Sequence, residues 1–552
     1  MFKLQSNQSM QSVAFALFVA TLAPTLAPTL ADAQQPGTQA SSYTDPSLQQ
    51  QASRQFFLRQ LNVTGNKRTR LQVILRMIQL REGDVFDQVK WEQGIDALNR
   101  SGLFNPITQA DYVFILDHAL GVVDIELRVT ERDYQRVDLN GGGGTTGGFS
   151  IGFDYSHMNL TGHADKLASR IRIGDRERSG VGNYSTLIWS KTPISLDLSG
   201  FYQRIEYVNA QTRSTGSETL FAERTGGASA GLFVPLGKPR FALSSPTRVG
   251  LVYSLSMSNV ADSFALASGA PTTISQSGLR IGSLTPMLVR DTRDRAFDPQ
   301  TGELLTFGVE LGARALGGRV NITRPYFDYR RFFPLKPKNA LDNENREHRV
   351  IAFGMRVSHI AAFGEPFPAD TLSTVDGVPI FKRFFVGGET QVRGYDVNSI
   401  APLARVERFA VTSGNPPTLL ASDVRPIGGD TDFLLNAEYR VPIVWQLSAA
   451  AFFDFGASFN TRALEQQRFE AMPQSGSVGL LTVLSPLLPV EDTLPRYRLS
   501  LGGELRFPIP VLNIPIRLIF AVNPNAQREV PGSTFLAPEK RFAFRIGFTR
   551  TL

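Results

Sequence analysis

The chain has 552 residues, with 57 Lys and Arg against 50 Asp and Glu, a formal charge of +7 and no cysteine. The charges are interspersed, with no basic block of the kind that marks a nucleic-acid tail, so nucleic acid is not expected as a partner. Without thiols, neither a disulfide framework nor a cysteine metal site is available.

Residues 1–33 read as a secretory signal, with Lys3, an apolar run from Val13 to Ala20 and an Ala31-Asp32-Ala33 cleavage site before Gln34. The run is too short and proline-broken to cross a bilayer, which takes about 20 apolar residues in a helix. No later stretch reaches that length, so a membrane-spanning chain here would have to be a β-barrel. Residues 34–55 are rich in Gln, Ser, Thr and Pro and read as a flexible linker.

Residues 56–132 read as a small α+β domain. Leu61 and Val63 alternate up to a Gly65-Asn66 turn, and Thr69 is placed to cap a helix whose stripe is Leu71, Ile74, Leu75 and Ile78. After Gly83-Asp84, a second helix carries Trp91, Ile95 and Leu98 and stops at Gly102. Two strands follow, through Phe114 and through Val123, Ile125, Leu127 and Val129.

From residue 134 to 552 the period is two. Phe149, Ile151 and Phe153, then Phe433, Leu435 and Tyr439, then Phe542, Phe544 and Ile546 share one face of their runs, while small, polar and charged residues fill the other. A soluble sandwich would bury the apolar face against a second sheet, but the charged face recurs along the whole segment with no helix to cover it. A lipid-facing barrel of about 16 antiparallel strands with a wet lumen accounts for the pattern. If the first strand rises from the side of the amino-terminal domain, the eighth, Leu279 to Thr292, ends in the tight turn Asp298 to Gly302 on that side. The eleventh, Arg349 to Ile360, then opens into a long loop, 362–430, on the far side. That loop has neither helical nor strand periodicity, and a loop of this size is usually functional or disordered.

Within it lies Phe384-Phe385-Val386-Gly387-Gly388-Glu389-Thr390-Gln391-Val392-Arg393-Gly394-Tyr395. Gly387 and Gly388 permit a sharp turn or close approach, and Arg393 presents a planar fork suited to a carboxylate. Further on stands the strand Phe452-Phe453-Asp454-Phe455-Gly456, with Asp454 on the lumen parity. These two motifs, in this order, resemble the Omp85 superfamily of outer-membrane assembly barrels, the group with a surface antigen D15 domain that includes BamA- and TamA-like proteins. The resemblance implies that the sixth extracellular loop folds into the lumen and that Arg393 pairs with Asp454. Gly387, Gly388, Val392, Gly394 and Tyr395 then belong to the loop motif, with Tyr395 and the glycine pair helping to seat it, and Phe452 and Gly456 belong to the strand motif. The turns Gly65-Asn66, Gly83-Asp84-x-Phe86 and Ser101-Gly102-x-Phe104 resemble those of a single POTRA domain, a kind of domain that binds extended polypeptide by adding a strand to a sheet edge.

The first barrel strand, about Gln135 to Asn140, runs into Gly141-Gly142-Gly143-Gly144, where missing side chains weaken pairing. In the resemblance, the seam between first and last strands is a lateral gate, although Arg550 on the outward parity and the final Leu552 depart from the family pattern. The implied function is insertion or translocation of unfolded outer-membrane or secreted clients at the outer membrane, with outer-membrane lipid and periplasmic accessory proteins as partners. A channel plugged by the loop and a pore dedicated to one secreted partner are the alternatives. The five histidines form no HExxH and the chain has no Gly-x-Ser-x-Gly elbow or phosphate loop, so no enzyme activity, cofactor or metal is expected.

Overall fold

The computed structural model describes residues 56–144, 148–188, 194–208, 219–236, 246–263, 273–295, 298–335, 349–364, 374–411, 416, 418–444, 447–462, 469–470, 479–486, 497–509, 514–527 and 538–548. The signal and linker segments, and Arg550 and Leu552 at the chain end, lie outside the described residues.

The amino-terminal domain is a three-stranded sheet covered by two helices: β1 (Phe57–Thr64), α1 (Leu71–Ile78), α2 (Gln88–Ser101), β2 (Tyr112–Asp117) and β3 (Val122–Arg128). β3 is central, parallel to β1 and antiparallel to β2. α2 starts where the Asp87 carboxylate accepts from the Val89 and Lys90 amides and ends at Gly102, whose φ of 72° is readily adopted by glycine. Trp91 is buried and meets Tyr112 and Phe114 edge-on.

Two details differ from the sequence reading. The buried stripe of α1 is Val73, Ile74, Met77 and Ile78, while Leu71 is exposed. Thr69 does not cap α1, whose N-cap is Arg70 without a side-chain bond. The Thr69 hydroxyl accepts instead from Asn159 Nδ2 at 2.9 Å.

That bond belongs to a junction between the domain and the barrel. The Asn159–Asp165 turn lies between the second and third barrel strands, and Gly162 O accepts from the Arg70 amide. Glu131 accepts from the Thr69 amide at 2.6 Å and the Arg68 amide at 3.0 Å, and the Arg68 guanidinium covers the Tyr134 ring. Ala164 and Leu187, from the barrel, join the domain's apolar core.

The remaining chain is one antiparallel sheet curled on itself. Its sixteen long strands, among the described residues, are Gln135–Gly144, Gly148–Met158, Lys166–Gly174, Glu177–Ile188, Ile194–Val208, Thr219–Leu236, Thr247–Ser263, Thr273–Asp291, Gly302–Gly312, Ile322–Leu335, Arg349–His359, Thr431–Val444, Leu447–Phe459, Tyr497–Ile509, Ile514–Val522 and Phe542–Gly547. Each pairs with its chain neighbours. Ile151, Phe153, Tyr439, Leu501, Phe520 and Phe544 are exposed on the outer face, while Asp432, Glu438, Asp454 and Glu504 are buried inside.

The first strand runs on through Gly144 and pairs with the second along its whole length. The glycines therefore lie within the strand. Among the described residues, the last strand meets the first at the pair of Gly547 with Gly144, which brings the two ends of the sheet together.

Loop 362–430 contains strand after all. Leu403–Val411 and Thr418–Pro426 form a ribbon that also pairs with Gly479–Pro486.

Burial pushes the Glu131 carboxyl up, but the amides of Thr69 and Arg68 outweigh it and hold it below the usual glutamate range. A carboxyl held low in the folded chain stabilises the junction fully above its unfolded pKa and loses that contribution as pH falls through the folded value. The melting temperature of the domain, read from its helical circular-dichroism signal in the full chain, should therefore drop on acidification below about pH 4. Glu131→Gln should lower it already at neutral pH and flatten this part of the pH dependence.

Candidate functional site

The segment Phe384 to Ile400 lies inside the barrel. It is entered through Phe384, paired with Gly429, and left through Ile400, paired with Val386. Gly387 and Gly388, at φ of 123° and 95°, reverse the chain between these points. Val386, Val392, Tyr395, Ile400 and the strand residue Leu434 pack as one small apolar core.

Arg393 is fully buried at the centre. Its Nε donates to Asp454 Oδ2 at 2.7 Å and its Nη2 to Oδ1 at 2.6 Å, and its own amide donates to Oδ2 at 3.0 Å. Its Nη1 donates to Glu438 Oε1 at 2.7 Å and Glu504 Oε2 at 3.3 Å. The guanidinium lies 3.8 Å above the Phe452 ring, a cation–π stack on the inner wall. The three motif positions of this strand thus have separate tasks. Phe452 supports the guanidinium, Asp454 pairs with it, and Gly456 leaves room for Val392, whose Cγ2 would be 2.3 Å from a Cβ there.

The rest of the loop motif is seated by neighbouring strands. The Tyr395 hydroxyl donates to Leu499 O and Asn525 Oδ1, and Gly394 O accepts from Asn523 Nδ2. A Cβ on Gly394 would come within 2.6 Å of both Ala521 and Asn523. Asn436 donates to both Asp454 and the Gln391 carbonyl.

Sequence reasoning singled out one acid, and the structure adds a network. Glu438 also accepts from Arg506 at 2.8 Å and Arg440 at 2.9 Å, and Glu504 accepts from Arg517 at 2.6 Å and pairs with Arg506. Four guanidinium groups and three carboxylates therefore share one buried volume. The available signal was parity, since Glu438, Arg440, Glu504 and Arg506 all lie on the polar face of their strands.

The loop also reaches the seam. A Cβ on Gly144 would sit 2.7 Å from the Glu389 carboxyl carbon, and one on Gly547 would sit 3.7 Å from Glu389 Cβ. Glu389 therefore rests against both members of the seam pair of Gly144 with Gly547. Asp396 forms an ion pair with Arg545 of the last strand.

Removing one partner from a buried ion pair typically costs about 3–5 kcal/mol, because the other charge stays buried. Asp454→Asn should lower barrel stability by about that amount in urea titrations in lipid bilayers. Gly456→Val, which alters no charge, should also unseat the loop. Both variants should open residues 388–394 to a protease added from outside, and an Asp454→Asn barrel as stable as the wild type would count against the clamp.

Residues 159–549 match the Omp85 superfamily domain and residues 56–132 match the surface antigen variable number repeat, POTRA. The chain is 22% identical over 417 residues to the outer membrane protein assembly factor BamA of Nitratidesulfovibrio vulgaris, covering 74% of this chain and 44% of that one. It is 24% identical over 437 residues to the outer membrane protein assembly factor BamA of Neorickettsia risticii, covering 78% and 50%. It thus spans about half the length of these curated relatives or less. In fold it is similar to the crystal structure of BamA from Haemophilus ducreyi lacking POTRA domains 1–3, with a TM-score of 0.58 at 17% identity over 89% of this chain and 84% of that one. The chain belongs to the Omp85 superfamily, as a BamA-like outer-membrane barrel with a POTRA domain in the periplasm.

Proposed function

We propose that this protein inserts or translocates client polypeptides at the outer membrane by parting its barrel seam. The observation that carries the reading is the make-up of the seam, where a strand ending in four glycines meets the last strand at Gly144 and Gly547 and missing side chains weaken the pairing. Unpaired backbone at an edge templates pairing with another strand. An incoming client strand would pair with the backbone bared when the seam parts, and folding of the client supplies the free energy, without an enzyme step or cofactor.

The POTRA domain supplies a second edge. Among the described residues β2 pairs on one side only, and Val113 and Ile115 are exposed along it. An unfolded chain can add there through main-chain hydrogen bonds whatever its sequence. The junction at Thr69, Glu131 and Asn159 fixes that edge relative to the barrel, so a chain caught there is held below the wall. Periplasmic accessory proteins would dock on the same domain.

A plugged channel is the second reading, supported by a cavity of about 430 Å³ between the loop and the inner wall, bordered by Glu223, Glu310, Arg324, Arg356 and Asp432. One experiment separates the two. Phe149 and Phe548 meet edge-on across the seam at 5.2 Å, and the chain has no cysteine, so Phe149→Cys with Phe548→Cys gives two unique thiols. Bridging them with a short bismaleimide should abolish insertion of unfolded outer-membrane polypeptides into vesicles carrying the protein, while the unbridged variant stays active. Equal insertion with the seam tethered would overturn the reading. Ion conductance indifferent to the tether, with no insertion in either form, would select the channel.

A further inference from the structure

On the membrane face of the fourth, fifth and sixth strands, Arg178, Arg204 and Arg224 stand directly opposite one another. Arg178 pairs in register with Arg204, and Arg204 with Arg224. Their parity is outward, shared with the exposed Tyr202 and Leu198. Directly opposed side chains on neighbouring strands have Cβ atoms about 5 Å apart, and like charges so placed repel. Arg204 is held by Glu206 at 2.9 Å, whereas Arg178 and Arg224 have no side-chain partner among the described residues. Three cations therefore face one acid along this row.

The row stands at the outer edge of the apolar band. The POTRA domain packs on the Asn159–Asp165 turn, which makes that end periplasmic, and Arg178 begins its strand at the opposite end, after the Asp175-Arg176 turn. From Arg178 to Ile188 is ten residues. At about 3.4 Å per residue and a tilt of about 40°, that spans about 25 Å along the membrane normal, the height of a barrel's apolar band. Arginine is tolerated on a lipid face at such a rim and costs most at the midplane.

Directly below the row the wall is hollow. Gly180 lies opposite Tyr202 and Gly182 opposite Gly200. A Cβ built on Gly180, Gly182 or Gly200 would meet nothing within 4 Å, while Tyr202 leans toward Gly226 on the other side. Glycine inside a strand weakens it, and often marks a place where a ligand approaches the backbone closely. A cationic row above a side-chain-free furrow matches an amphiphile with an anionic head and a straight chain.

We propose that this face binds an acylated lipid of the outer leaflet through a phosphate group, with the arginine row on the phosphate and one acyl chain along the Gly180, Gly182 and Gly200 furrow. The guanidinium fork pairs with phosphate oxygens in two parallel hydrogen bonds, which offsets the repulsion within the row.

The test uses the full chain in nanodiscs of phosphatidylcholine doped with phosphatidic acid, with the lipid retained after detergent extraction counted by native mass spectrometry. Wild type should retain phosphatidic acid and not diacylglycerol with the same chains. Arg178→Gln with Arg224→Gln should reduce retention at least ten-fold, and Gly182→Leu, which leaves the charges intact, should reduce it several-fold. Heat-modifiable gel migration checks that each variant is folded. Wild-type retention by the double arginine variant would overturn the proposal. So would retention of diacylglycerol equal to that of phosphatidic acid, or full displacement of the lipid by millimolar inorganic phosphate.

Discussion

A guanidinium with no exposed surface, held by three carboxylates from three strands, is the constraint around which the barrel interior is arranged. Taking such charges out of water is costly, and only close pairing with full hydrogen bonding recovers the loss. Arg393 comes from the loop, and Asp454, Glu438 and Glu504 come from the wall. Neither side is tolerable without the other once both are buried. The inserted loop is therefore an inner support for the twelfth to fifteenth strands, and its withdrawal would expose unpaired buried charge.

The same support ends at the seam between the last strand and the first. Glu389 lies on Gly144 and Gly547, which face each other there, and Asp396 pairs with Arg545 in the last strand. Arg517, next to the last strand, donates to the Glu389 carbonyl as well as to Glu504. The charge network and the seam are thus connected through one short peptide segment. The glycines of the first strand serve this arrangement, because a side chain at 144 would collide with Glu389.

How far the sequence could be read followed from which signals are local. Period-two alternation located the barrel and the parity of Asp454, because each strand must separate a lipid face from a lumen face. The pairing of Arg393 with Asp454 was legible only through the order of two motifs, since 61 residues separate them. Glu504 and Arg517 are buried on the lumen side of their strands, but nothing local marks them as partners of the loop, because curling of the sheet, not chain proximity, brings them to it. Thr69 looked like a helix cap because the same hydroxyl suits a cap and a tertiary bond, and Asn159 lies ninety residues away. The 403–411 ribbon passed unnoticed because its sequence shows no period-two alternation, the signal that located the barrel strands.

The dependence of the wall on the buried arginine can be measured by hydrogen–deuterium exchange of the full chain in bilayers, comparing wild type with Arg393→Lys. A lysine keeps the charge but cannot hold two carboxylate oxygens in one plane. The account predicts that amides of residues 386–396 and of the twelfth to fifteenth strands lose protection together, while the fourth to eighth strands keep theirs. Unchanged protection of the loop, or a loss spread evenly around the barrel, would contradict it.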